Sequence, residues 1–76
     1  MGDVLVSHPS TDRIRARIHR LQSTGYRVDI ERLIDADDAG GMKRGQFWSV
    51  VTGLTSYADT VERAKRLAAE NLLNAV

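Results

Sequence analysis

Apolar positions along the 76-residue chain change period twice. Between Thr11 and Ser23, the residues Ile14, Ile18 and Leu21 recur at i, i+4 and i+7, the stripe of an amphipathic helix. Pro9 precedes this stretch, Ser10 or Thr11 offers a capping hydroxyl, Asp12 suits the positive end of a helix dipole, and Gly25 stands at the stop position. The pattern predicts a first helix from about Thr11 to Ser23. From Tyr26 to Asp35 the period falls to two: Tyr26, Val28 and Ile30 alternate with Arg27, Asp29 and Glu31, which predicts a half-buried strand. The alternation blurs at Leu33-Ile34, the mark of a bulge or of a more buried end. An Asp- and Gly-rich loop, Asp37 to Gly45, leads to a second strand, Gln46 to Thr52, which Gly53 ends. Strands this close in sequence pair antiparallel by default. Val4-Leu5-Val6 offers a short third strand at an edge.

A helical period returns near Asp59, which has capping-box spacing to Glu62. Val61, Ala64, Ala68, Leu72 and Ala75 fall on one face, and the alanines let that face lie close to a sheet. Leu67 and Leu73 widen the apolar surface, toward the first helix or toward another chain. The expected fold class is α+β: one small (β)-α-β-β-α domain over residues 1–76, its two helices on one face of an antiparallel hairpin sheet.

Composition narrows the class of protein. Apolar residues make up 42% of the chain and charged residues 28%, the balance of a globular domain. No apolar run approaches the roughly 20 residues of a membrane span, and Met1 to Pro9 lacks the cationic start and apolar core of a signal peptide. A cytoplasmic setting and no membrane partner are therefore expected. The absence of cysteine excludes disulfides, thiolate catalysis and Cys-based zinc sites. A domain this small buries only about 60% of its unfolded surface, so a deep catalytic cleft is not expected and self-association would add stability. Unpaired sheet edges point the same way, toward a homodimer.

Charge is nearly balanced overall, at +1, but it is segregated. Residues 10–27 carry Arg13, Arg15, Arg17, Arg20 and Arg27 against Asp12, a net +4. Residues 28–42 carry Arg32 against Asp29, Glu31, Asp35, Asp37 and Asp38, a net −4. Two outcomes follow: a dipolar surface suited to oriented docking, or two blocks that neutralise each other within the fold.

Catalytic chemistry is sparse. Neither His8 nor His19 sits in a nucleophile motif, so no enzyme is expected; His8 belongs to a turn beside Pro9, and His19 to a solvated face. The run Asp35-Ala-Asp37-Asp38-Ala-Gly40 fails as a calcium loop, because its fifth position is Ala39 and its twelfth is Gln46. Gly41-Met-Lys-Arg-Gly45 is no phosphate-binding P-loop. No metal or cofactor is expected. What remains is a binding surface. On a helix, Arg13, Arg17 and Arg20 lie within about 60° of one another beside the apolar stripe. Arginine outnumbers lysine nine to two, and its planar fork grips phosphate or carboxylate with two hydrogen bonds. Lys43 and Arg44 add two cations at the hairpin tip. Trp48 shares a strand face with Val50, either as a core residue or as an exposed interface anchor.

The tail Glu62-Arg-Ala-Lys-Arg-Leu-Ala-Ala-Glu-Asn-Leu-Leu73 resembles the last helix of double-stranded RNA-binding domains, with their Ala-Lys…Ala-Ala…Leu pattern, and the expected α-β-β…α order is similar to theirs. Val61, Glu62 and Arg63 stand where that family has lysines, and little room is left for its third strand between Gly53 and Asp59. The same helix also resembles the end of small HicB-like antitoxin domains. Those resemblances imply a nucleic-acid-binding module that uses the basic first helix. The mixed charge and the lack of catalytic residues instead favour a non-enzymatic protein-binding module: a regulator or inhibitor of phage or mobile-element type, docking on a larger partner through Arg13, Arg17, Arg20, Lys43, Arg44 and Trp48.

Overall fold

The computed structural model describes residues 3–37 and 44–75, with the backbone alone at positions 36, 37 and 44. Among these residues the order is β1 (Val4–Ser7), β2 (Ile14–Arg20), β3 (Tyr26–Asp37), β4 (Arg44–Val50), β5 (Ser56–Ala58) and α1 (Val61–Asn74). The strands form one antiparallel sheet in the order β1-β2-β3-β4. β5 pairs with the first residues of β3, in register Tyr26↔Ala58, while β4 takes the later ones, Glu31 to Asp37. The α+β class and the antiparallel hairpin stand. The pair of helices does not: the described residues contain one helix.

The expected first helix is strand β2. Ile14 and Ile18 are four apart, a spacing that both a helix and a strand place on one face. Ala16 separates the two cases. A helix would turn it away from the isoleucines, whereas a strand puts it between them, and here Ile14, Ala16 and Ile18 are all buried. The strand also aligns Arg15 with Glu31 and Arg17 with Asp29 across the ladder. The residues read as a helix cap serve a turn instead. The Thr11 hydroxyl accepts from the Arg13 N–H at 3.1 Å, and His8 Nδ1 accepts from the Ser10 N–H at 2.9 Å. Gly25, expected as a helix stop, sits in the β2–β3 turn at φ +91°. A Cβ there would also lie 2.9 Å from the Ala58 carbonyl oxygen, so both conformation and space call for glycine.

Helix α1 matches its pattern. Thr60 caps it, its hydroxyl accepting from the Arg63 N–H at 3.2 Å, and the first turn begins one residue later than the Asp59–Glu62 spacing suggests. Ala64, Ala68, Leu72 and Ala75 are buried against Ile14, Ala16, Ile18, Val28 and Ile30. Arg32 reaches back from β3 to the Ala75 carbonyl at 3.5 Å, a cation at the negative end of the helix.

The helix packs on β1, β2, β3 and β5 but does not touch β4. A 12-residue strand is about 40 Å long, and β3 sets the long axis of a molecule measuring 45 × 28 × 21 Å. Its second half and β4 therefore extend beyond the helix as a two-stranded ribbon. Register runs unbroken through Leu33↔Trp48 and Ile34↔Phe47, with no bulge. The alternation blurs there because the ribbon carries apolar residues on both faces.

Candidate functional site

Period two fixes what the uncovered face of the sheet displays. With Ile14, Ala16 and Ile18 turned to the helix, β2 presents Arg15, Arg17 and His19 to the other side, and Arg13, just before the strand, joins them through its ion pair with Asp35. β3 answers with Arg27, Asp29, Glu31, Leu33 and Asp35, β1 with Leu5, and β4 with Gln46, Trp48 and Val50. Asp3, just before β1, joins the same face through its ion pairs.

The charged side chains pair with one another. Glu31 receives Arg15 Nε at 2.6 Å and Arg17 Nε at 3.1 Å. Arg17 Nη1 also lies 3.3 Å from Asp3 Oδ2. His19 spans two carboxylates, with Nδ1 3.1 Å from Asp3 and Nε2 3.0 Å from Asp29. Asp29 takes Arg27 Nε at 3.1 Å and the Thr55 hydroxyl at 2.9 Å. Toward the ribbon, Arg13 Nη2 meets Asp35 at 3.0 Å and Gln46 donates to the same carboxylate at 2.9 Å. Arg15 stacks over the Trp48 ring, its guanidinium carbon 3.9 Å from the centroid. Asp29 and Glu31 are buried although no secondary-structure element covers them, because their own partners do.

Two groups are perturbed by this wiring. The Asp3 hydrogen bond is the largest influence holding the Arg17 guanidinium above its ordinary range, with the charge and hydrogen bond of Glu31 acting alongside and desolvation opposing. Asp35 is held below the usual carboxylate range, first by the Gln46 hydrogen bond and then by the charge of Arg13.

The predicted binding residues do not come together as one helical sector. Arg13, Arg17 and Trp48 share the open face. Arg20 has the opposite parity, opposite Tyr26 at the end of β2, so the trio Arg13, Arg17 and Arg20 is broken. Lys43 lies outside the described residues, and of Arg44 only the backbone is described, at the start of β4. Arg15, His19, Arg27, Asp29 and Glu31 belong to the same face but stand outside the set expected from the sequence, although alternation of charge in both segments carries the signal. Among the described residues, arginines of the +4 block meet carboxylates of the −4 block: Arg13 meets Asp35, Arg15 and Arg17 meet Glu31, and Arg27 meets Asp29. His8 does belong to a turn; it is buried, and its Nε2 has no partner among the described residues. His19 belongs to the ion-pair lattice rather than to a solvated face.

Among the described residues no three His, Asp or Glu side chains are grouped to hold a metal ion, and no helix is long and apolar enough to cross a membrane. Comparison with protein-family models, with curated proteins and with solved structures gives no match. The resemblance to double-stranded RNA-binding domains ends at the last helix, since a strand stands where that fold needs its first helix.

Proposed function

We propose that the chain is a non-enzymatic protein-binding module, acting in the cytoplasm as a regulator or inhibitor, and that it docks on its partner through the open face of the sheet. The observation that carries this reading is the pairing of that face. Arg13, Arg15, Arg17 and Arg27 are each engaged by a carboxylate among Asp3, Asp29, Glu31 and Asp35. A phosphate backbone needs arginines whose charge is unspent, because much of its affinity comes from neutralising phosphates and releasing counterions. Here each phosphate would have to displace a carboxylate and leave it buried or repelled. A protein partner makes no such demand. Arginine with aromatic and aliphatic side chains, held rigid by mutual contacts, is the composition of an interface core. Trp48 on Arg15, with Leu5 51% and Val50 49% exposed on either side of the lattice, fits that composition.

The nucleic-acid reading makes the opposite forecast, and the two separate in one experiment. Full-length protein is titrated with mixed-sequence duplex DNA and duplex RNA across a range of salt, and is used in parallel to capture partners from nuclease-treated extract of its source cell. The proposal expects no binding of either duplex at physiological salt. It also expects a captured protein that is lost with Trp48→Ala and Leu5→Ser in a chain that stays folded by circular dichroism. Duplex binding with a steep salt slope, removed by Arg13→Glu and Arg17→Glu, would overturn it.

A further inference from the structure

The outer edge of β4 has no partner strand among the described residues, and the two neighbouring ladders set its hydrogen-bonding parity. The Leu33 N–H donates to the Arg13 carbonyl, so the odd residues of β3 turn their backbone groups toward β2. The Val51 N–H donates to the Ile30 carbonyl, so the even residues of β3 turn theirs toward β4. Register then assigns Gly45, Phe47 and Ser49 of β4 to the bonds with β3. Arg44, Gln46, Trp48 and Val50 are left with N–H and C=O groups pointing away from the sheet.

We propose that this edge pairs with the same edge of a second copy of the chain, antiparallel about a two-fold axis at Phe47, to give one continuous sheet across the dimer. Three features single out a second copy. First, the register with full overlap of Arg44–Val50 places Gln46 opposite Trp48 of the other copy and Arg44 opposite Val50. These four are the residues whose backbone groups are free, so full overlap and correct hydrogen-bond parity coincide. The odd length of the strand makes this possible: a strand with an even number of residues could meet its own copy at full overlap only with its free groups out of phase. Second, Arg44 is the one charged residue of the strand and faces Val50 in this register, so no like charges meet. Third, Phe47 is 50% exposed on the side that α1 covers elsewhere, and the helix does not reach β4. At the axis the two Phe47 residues form a non-hydrogen-bonded pair, the type in which side chains approach most closely. Each ring covers the other.

The remaining edge differs. β1 is four residues long and touches α1, while β4 has seven residues without proline, lysine or bulge. Natural proteins use those devices to keep an edge unpaired, and β4 lacks them.

The test is sedimentation velocity with light scattering on the full chain from about 10 µM to 1 mM, with amide exchange read by NMR. The expected mass is twice 8.4 kDa, with slow exchange at the Gln46 and Trp48 amides. Gln46→Pro removes an outward N–H and leaves the β3 bonds in place, so it should give a folded monomer. Phe47→Lys sets two like charges on the axis and should do the same without touching the backbone. A wild-type monomer at 1 mM, a dimer that survives both substitutions, or a dimer whose Gln46 and Trp48 amides exchange freely would overturn the proposal. Loss of the partner captured through the open face, with the dimer intact, would bear only on the docking reading.

Discussion

The two faces of the sheet are made by alternate residues of the same strands, yet they are built on different physics. Under the helix, Ile18, Val28 and Ile30 meet Ala64, Ala68 and Leu72, and nothing polar intervenes. On the other side no described element forms a layer, and the side chains cover one another. Glu31 at 8% exposed is as buried as Ile14 at 9%. The two kinds of burial are not worth the same. Removing apolar surface from water contributes roughly 25 cal/mol per Å². A buried ion pair returns in Coulomb energy about what it costs in desolvation, so it adds little net stability, although breaking it by removing one partner is expensive. The helix-covered face therefore supplies the stability. The open face selects the register, since a slip of one residue between β2 and β3 would turn carboxylates into the core and isoleucines out to water.

Substitutions on each face test that division. Ile30→Ala, under the helix, is expected to cost about 2–5 kcal/mol by urea unfolding, a large share of the net stability of a domain this small. Glu31→Ala is expected to cost less, about 1–3 kcal/mol, because Arg15 and Arg17 lose their carboxylate but can still reach water. In a double-mutant cycle, Arg15→Ala should recover part of that loss. If Glu31→Ala equals or exceeds Ile30→Ala, the open face is a second core and the division fails.

The smallest effect lies at the rim. The Asp35 carboxyl is more acidic folded than unfolded, so its contribution is present at pH values above the ordinary aspartate range. It is lost as pH falls through the depressed folded value. An NMR titration should find Asp35 below a free aspartate, and Gln46→Ala should move it up, because the Gln46 hydrogen bond is the leading cause. No movement in that variant would transfer the effect to Arg13.

The same contrast explains what the sequence made legible. The first half of β3 and helix α1 announce themselves because their apolar residues obey one period each. β2 does not. Its two isoleucines satisfy both periods, and the deciding residue, Ala16, is small enough to be read as neutral. The charges held the missing information: Arg15, Arg17 and His19 alternate with buried residues as Asp29 and Glu31 do in β3, an arrangement that only two paired strands can use. The binding residues followed the same error. A helix gathers Arg13, Arg17 and Arg20, whereas a strand gathers Arg13, Arg15 and Arg17 and sends Arg20 to the other side. Trp48 was open to two readings because β4 lies beyond the helix, where either face of a strand is partly wet.

The order of the strands has a consequence for how the chain reaches this structure. β1 to β4 form a meander in which each strand pairs with its neighbour in sequence, contacts that close quickly because the loops are short. The β5–β3 pairing and the seating of α1 must wait for the last third of the chain. Until the helix is seated, Ile14, Ile18, Val28 and Ile30 have no cover, so any meander that forms ahead of it holds its apolar face open to solvent or to a chaperone. Closure falls to a C-terminal helix whose contact residues are mostly alanine, side chains with no rotamers to sort. The final docking step can then be fast where the interval of exposure is most hazardous.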